Sequence, residues 1–141
     1  MNKVLAQGEV EIEIPFHDID SMGIAWHGHY VKYLELARTA MLDGIDYDVQ
    51  AMRDSGYAWP VIELHVRYAQ PLKYRQKIRV VAELVEVEHR MKVNYRVFDI
   101  ASGRRLTRAH TVQVALELDS GEMLFASPPA LTRRVAAGAG D

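Results

Sequence analysis

The sequence of 141 residues contains no cysteine, and this absence excludes several kinds of site. Disulfide bonds, zinc sites with thiolate ligands and a cysteine nucleophile all need the missing side chain. Long apolar runs are missing too, since none approaches the roughly 20 residues that a membrane-spanning helix needs. The N-terminal stretch MNKVLAQGEVEIEI has no apolar core of a signal peptide. We therefore expect no membrane span and a cytoplasmic location.

The charge is nearly balanced, with 17 Lys and Arg against 19 Asp and Glu. Proteins that bind nucleic acid usually carry a basic excess, so we expect no nucleic-acid partner. A chain of this length forms one domain with a sizeable core. We expect a single domain over residues 1–141. Its last part, residues 128–141, is rich in small residues and glycine, which predicts a flexible tail.

The first half of the chain changes its apolar period once. Residues 9–16 alternate, which predicts a half-buried strand because successive strand side chains point to opposite faces. Its apolar side consists of Val10, Ile12, Ile14 and Phe16. Residues 17–28 lose this period, as loops do. Apolar residues then recur every three or four positions over residues 29–43, which predicts an amphipathic helix that ends at Gly44. A short second helix is expected over residues 48–54.

From residue 57 onward the chain is rich in strand patterns. The predicted strands cover residues 58–69, 77–89, 91–100 and 105–118, with a short one at 123–126. Ser102-Gly103 and Ser120-Gly121 are typical of hairpin turns. Strands and helices do not alternate, which argues against a parallel sheet. We expect an α+β fold in which an antiparallel sheet wraps around the one long helix. A single helix covers little of such a sheet, so a homo-oligomer is also expected.

Ionisable side chains concentrate between the first strand and the long helix, where loops often hold catalytic groups. The segment 16–30, FHDIDSMGIAWHGHY, contains His17, Asp18, Asp20, His27 and His29. The histidine spacing does not fit a known metal motif, and we expect no metal site. Ser21 lacks the flanking glycines of a nucleophile elbow, which weakens a serine triad.

Carboxylate catalysis is the third interpretation of this segment. An aspartate can activate water or attack a reactive acyl group such as a thioester. The first free amides of the following helix would stabilise the developing oxyanion. Aspartate and serine before a helix are also common caps and turn formers, so composition and spacing leave both interpretations open.

The order of residues in this segment and the helix resembles the 4-hydroxybenzoyl-CoA thioesterase family of hotdog proteins, especially its Tol-Pal-associated acyl-CoA thioesterase branch. The matching residues are Phe16, Asp18, Asp20, Gly23, His27 and Tyr30, followed on the helix by Tyr33, Glu35, Ala37 and Arg38. A second motif, V-x-Y-x-x-P, consists of Val66, Tyr68 and Pro71. The resemblance covers residues 9–127. Ile24 and Gln76 depart from it, where relatives often carry a histidine and an acidic residue.

The resemblance implies a hotdog fold and an acyl-CoA thioesterase without metal or cofactor. Asp20 would be the catalytic nucleophile or general base, and the amide of His27 would polarise the thioester carbonyl. The substrate-binding residues would be Gly23, Trp26 and Tyr30 at the acyl group and Arg75, Arg90 and Lys92 at the phosphates of CoA. Asp18 is expected to be structural, because two free carboxylates so close would repel each other and raise one pKa.

The resemblance also implies a homodimer or homotetramer whose substrate is an acyl-CoA or an acyl carrier protein thioester. It does not select the acyl group. A hotdog hydratase or dehydratase is an alternative enzyme, and a non-catalytic acyl-thioester binding module is an alternative of another class.

Overall fold

The computed structural model describes residues 3–139, and these form an antiparallel sheet with one long helix packed on it. The strands are β1 (Ala6–Glu13), β2 (Tyr57–Ala58), β3 (Val61–Tyr68), β4 (Lys77–Glu86), β5 (Met91–Asp99), β6 (Arg105–Gln113) and β7 (Leu116–Glu117). The helices are α1 (Tyr30–Asp43), α2 (Val49–Asp54) and α3 (Pro129–Ala139), with short 3₁₀ helices at Phe16–Asp18 and His27–His29. Five strands form the main sheet in the order β1-β4-β5-β6-β3, and β2 pairs with β7.

Helix α1 lies across β1 and β4 and buries the apolar side that its sequence period predicts. Its buried residues include Tyr33, Leu34, Ala37 and Met41. The helix approaches β1 closely at Gly8, where an added Cβ would lie 2.3 Å from the backbone nitrogen of Met41. Only glycine fits such a contact, because backbone atoms on both sides cannot move apart cheaply. Helix α2 begins as predicted, with its cap Asp48 accepting a hydrogen bond from the amide of Ala51 at 2.8 Å.

Several strand boundaries differ from the prediction. The first strand ends at Glu13, and Phe16 lies in a 3₁₀ helix with 72% of its surface exposed instead of facing the core. Pro15 explains the break, because it lacks the amide hydrogen that would continue the ladder. The predicted strand 58–69 divides before Pro60 into β2 and β3, and 105–118 divides into β6 and β7. Within 123–126 only Met123 forms an isolated bridge, to Leu116.

The prediction of a flexible tail is wrong, because residues 129–139 form the helix α3. Leu131 and Val135 lie four positions apart on α3, and they are 0% and 5% exposed in the core. The guanidinium of Arg134 donates to the carbonyl oxygen of Asp46 at 3.0 Å. A proline at the first helical position starts such a helix well. The sequence prediction weighed the small residues and missed this apolar spacing; positions 140 and 141 of the predicted tail lie outside the described residues.

Strand β3 forms one edge of the main sheet. It pairs with β6 on one side, and over residues 3–139 no other strand pairs with its outer edge. Its apolar side chains are unusually open for a strand: Val61, Ile62 and Leu64 are 44%, 52% and 43% exposed. None of the helices within residues 3–139 is both long and apolar enough to cross a membrane.

Candidate active site

The loop between β1 and α1 forms a tight hairpin whose turn holds Asp20. Ile19 bridges to Ala25, the amide of Asp20 donates to the carbonyl of Ile24 at 2.9 Å, and the amide of Gly23 donates back to Asp20 at 3.0 Å. Gly23 has a φ of 81°, a left-handed conformation that glycine adopts without strain. One carboxylate oxygen of Asp20, Oδ1, accepts from the amide of Met22 at 2.8 Å. The turn chemistry of aspartate and glycine therefore fixes the position of this carboxylate.

Backbone and side-chain hydrogen bonds fasten the hairpin to the rest of the fold. The amide of Ala25 donates to the carbonyl of Leu72 at 2.8 Å. The hydroxyl of Tyr68, at the end of β3, donates to the carbonyl of His27 at 2.8 Å. These contacts place the start of α1 and the end of the edge strand β3 on either side of one pocket.

Asp18, two residues before Asp20, has a different role. Its side chain is 0% exposed, and it accepts hydrogen bonds from Lys32 Nζ at 2.8 and 2.9 Å and from the Tyr33 hydroxyl at 2.5 Å. Burial alone would raise the pKa of Asp18, but the hydrogen bonds from Lys32 and Tyr33 hold that pKa below its usual value. Burial and the hydrogen bond to Asp18 raise the pKa of Tyr33. Asp18 thus remains charged and ties the hairpin to α1.

The 3₁₀ helix His27–His29 runs directly into α1 and leaves amides free at its start. Among residues 3–139, the backbone amides of His27 and Gly28 have no hydrogen-bond partner. The ring of Trp26 lies over Gly28, where an added Cβ would be 2.2 Å from a ring carbon. The same ring is 5.1 Å from the ring of His27, measured between centroids. Free amides at a helix start, with the helix dipole behind them, favour a negatively charged oxygen.

A pocket of about 360 Å³ joins the Asp20 turn and this helix start. It is lined by Asp20, Met22, Ile24, Ala25, His27, Tyr30, Tyr68, Gln70 and Pro71. Most of its lining is apolar, which suits an acyl chain or ring. Burial raises the pKa of Tyr30 to about 12, so its hydroxyl stays neutral. The pocket brings together an aspartate, free amides and an apolar wall.

The pocket contains three of the residues predicted from the sequence: Asp20, His27 and Tyr30. The remaining five lie outside its lining, and their proposed contacts with substrate stay predictions. Gly23 shapes the turn, and Trp26 lies 48% exposed beside the pocket's helix.

The three cations predicted to meet phosphates are divided between the β4–β5 hairpin, which holds Arg90 and Lys92, and the bend before β4, which holds Arg75. Arg75 has a φ of 66° and its guanidinium lies 5.2 Å from the ring centre of Tyr74. Arg90 forms an ion pair with Glu86 at 3.1 Å, next to Lys92 at the start of β5. No single cluster unites them, so each must be tested separately.

Six residues that line the pocket were not predicted as site residues. Tyr68 and Pro71 carried a signal in the V-x-Y-x-x-P motif and Ile24 was noted as a departure, whereas Met22, Ala25 and Gln70 carried no signal. The partner of Asp18, Lys32, lies two positions after Tyr30 on the helix, and only the fold brings it to the carboxylate.

Comparison with known proteins gives the same family for most of the chain. A sequence model of the thioesterase-like superfamily matches residues 14–135. YneP of Bacillus subtilis is 33% identical over 64 residues, which are 45% of this chain and 46% of YneP. The acyl-CoA thioester hydrolase YbgC of Escherichia coli O6:H1 is 26% identical over 76 residues, 54% of this chain and 57% of YbgC. The chain thus matches about half the length of these relatives.

A solved structure, that of DHNA-CoA thioesterase from Staphylococcus aureus, superimposes with a TM-score of 0.82 at 21% identity. The match covers 95% of this chain and 89% of that one, and it confirms the predicted hotdog fold. The matched residues 14–135 include the Asp20 turn, the long helix and four of the five strands of the main sheet, all but β1. The chain therefore belongs to the thioesterase-like superfamily.

Proposed function

We propose that this protein hydrolyses acyl-CoA thioesters in the pocket between the Asp20 turn and the start of α1. The observation that carries the proposal is that Asp20 and His27, whose amide is free among residues 3–139, line the same largely apolar pocket. A carboxylate and an oxyanion donor are the two groups that thioester hydrolysis needs. YbgC, a relative of this chain, is named as an acyl-CoA thioester hydrolase.

In the proposed reaction, the thioester carbonyl oxygen accepts a hydrogen bond from the amide of His27. The Oδ1 atom of Asp20 is held by the amide of Met22, which leaves Oδ2 to act on the substrate. Oδ2 either removes a proton from the attacking water or attacks the carbonyl carbon itself. Both routes pass through a tetrahedral oxyanion that collapses with cleavage of the carbon–sulfur bond, and the departing thiolate takes up a proton. With Asp20 as general base the carboxylate product forms directly, whereas attack by Asp20 gives a mixed anhydride that a water molecule then hydrolyses to release the carboxylate.

The apolar side chains of the pocket would hold the acyl group. Met22, Ile24 and Tyr30 line it, and its volume of about 360 Å³ is in the range of small-molecule sites. The phosphates of CoA would lie outside, where Arg75, Arg90 and Lys92 are candidate partners because guanidinium and ammonium groups pair well with phosphate. Acyl carrier protein is the alternative thiol carrier.

A homodimer through the edge of β3 completes this proposal. An unpaired edge strand with exposed Ile62 and Leu64 tends to pair with another chain. Addition of β3 from a second copy would cover this edge. The pocket lies at the C-terminal end of β3, because Tyr68 is the last residue of that strand and also lines the pocket. A partner at this edge would thus close the open side of the pocket.

The deciding experiment measures thiol release from a panel of aliphatic and aromatic acyl-CoAs by wild type, Asp20→Asn and Asp48→Asn. Asparagine keeps the oxygen that accepts from Met22, so the turn stays folded while the charge is removed. We expect kcat to fall at least about 100-fold in Asp20→Asn, the range for loss of an acid–base group. Asp48→Asn is the matched control, since Asp48 also accepts from a backbone amide but caps α2, away from the pocket lining.

Equal turnover by Asp20→Asn and wild type would contradict the assignment of Asp20. Wild type that binds acyl-CoA without turning it over would point to a binding module, and formation of a hydroxyacyl product would point to a hydratase. A single turnover in ¹⁸O-labelled water separates the two routes. Label found in Asp20 after the turnover identifies it as the nucleophile, whereas label only in the product favours a general base.

A further inference from the structure

The sheet face opposite α1 carries a row of three arginines on adjacent strands. Arg108 of β6 lies directly opposite Arg67 of β3 on one side and Arg96 of β5 on the other. Tyr95, the neighbour of Arg96, faces the helix, where its hydroxyl accepts from Arg38 at 3.2 Å. Because strand side chains alternate, the arginine row points to the other face.

The next row on this face also carries basic residues. His65 and His110 are paired across β3 and β6, with their rings stacked at 5.4 Å between centroids and 9° between planes. Together the two rows line a cavity of about 460 Å³, larger than the one that holds Asp20. Arg105 also lines this cavity, so four arginines and two histidines are among its lining residues.

The positive charge of this cavity is only partly balanced. Glu83 pairs with Arg96 at 2.8 Å. Within residues 3–139, Arg67 and Arg108 have neither an ion pair nor a side-chain hydrogen bond, and the buried Nε of Arg96 has no acceptor. Like charges directly opposite each other destabilise a sheet, so this row lowers stability unless an anion lies between the side chains.

We propose that this cavity binds a ligand with two linked phosphate groups. Adjacent strands are about 4.8 Å apart, so three arginines leave two gaps of about that width, each suited to one phosphate. Guanidinium groups prefer phosphate because their parallel N–H donors match its oxygens. The cavity lies on the far side of the sheet from helix α1, and the proposal does not depend on the chemistry assigned to Asp20.

Isothermal titration calorimetry with inorganic pyrophosphate at low ionic strength tests the proposal. We compare wild type, Arg108→Gln, Asp20→Asn and Arg53→Gln, a variant that removes the same charge from exposed α2. We expect Arg108→Gln to weaken pyrophosphate binding at least about tenfold, as loss of a charged hydrogen-bond donor does. Arg53→Gln and Asp20→Asn should bind as wild type does, so a failure of the proposed catalysis would leave this result unchanged.

A melting experiment provides the second readout and checks folding. In phosphate-free buffer, Arg108→Gln should melt no lower than wild type, because it relieves repulsion. Pyrophosphate should raise the Tm of wild type, Arg53→Gln and Asp20→Asn by similar amounts and that of Arg108→Gln by clearly less. Absence of pyrophosphate binding by wild type, or equal weakening by Arg108→Gln and Arg53→Gln, would overturn the proposal.

Competition with free coenzyme A then identifies the source of the phosphates. Displacement of pyrophosphate assigns the site to the diphosphate of the coenzyme, and no displacement assigns it to a separate phosphorylated ligand.

Discussion

Two aspartates only two residues apart have opposite surroundings in this protein. Asp18 is fully buried against Lys32 and Tyr33, while Asp20 lines a pocket and keeps one oxygen free of hydrogen bonds within residues 3–139. The family resemblance predicted the catalytic role of Asp20, and the repulsion expected between two close carboxylates predicted a structural role for Asp18. The burial of Asp18 depends on Lys32, fourteen positions away, and no local pattern contains that contact.

The Asp18 contacts make a prediction about acid stability. Replacing Asp18 with Asn removes charged hydrogen bonds, and we expect the free energy of unfolding at pH 7 to fall by about 2 kcal/mol. The native pKa of Asp18 lies below its unfolded value of about 3.9, so its stabilisation is complete above that pH and is lost as pH falls through the native pKa. Urea unfolding at pH 7 and pH 3 should therefore show a smaller gap between wild type and Asp18→Asn at pH 3. A gap that stays constant would contradict this linkage, and Asp54→Asn on α2 is the control.

At the scale of elements, periodicity predicted the helices α1 and α2 and the strands β4 and β5 to within a few residues. The prediction succeeded for these elements because each buries one continuous face, and the apolar residues of that face recur at a regular period in the sequence. Boundaries failed where a proline ends a ladder, as at Pro15 and Pro60. Helix α3 was not predicted because its two core residues, Leu131 and Val135, are too few to form a recognisable apolar period among the alanine and glycine residues.

The contact between β1 and α1 depends on a glycine that no sequence pattern marked. In Gly8→Ala the new methyl would lie 2.3 Å from a backbone atom of Met41, so helix and strand must separate. We expect a loss of about 2 kcal/mol in the free energy of unfolding, as for other overpacked cores. Gly138→Ala is the control, because its Cβ would meet Ile45 at an ordinary 3.5 Å. Chemical denaturation of both variants measures the difference, and equal stabilities would refute the close contact.

Helix α3, which lies where a flexible tail was expected, gives a second prediction at the scale of elements. Leu131 is 0% exposed, so Leu131→Ala should lower the free energy of unfolding by about 3 kcal/mol. Arg133→Ala on the exposed side of α3 should change it by less than about 0.5 kcal/mol. A frayed tail would leave both variants as stable as wild type, and thermal melts distinguish these outcomes.

At the scale of the whole molecule, the position of the pocket bears on how two copies of the chain are expected to pair. The fold places the candidate site at the end of the edge strand β3, because Tyr68 is the last residue of that strand and lines the pocket. The sequence predicted an oligomer from the limited cover that one helix gives a sheet. It could not predict which edge is open, because that depends on strand order, a long-range property that local periods do not encode.

A charge placed on this edge tests the assembly. Ile62 is 52% exposed on β3, and Ile62→Lys would place a charge on the strand through which the proposed dimer pairs. We expect sedimentation velocity to give a dimer for wild type and a monomer for Ile62→Lys at micromolar concentration. Val49→Lys is the matched control, since Val49 is 63% exposed on α2 and should leave the dimer intact. If the partner closes the pocket, thiol release per chain should fall in Ile62→Lys and recover at high protein concentration. A monomeric wild type with full activity would show that one chain completes the site alone.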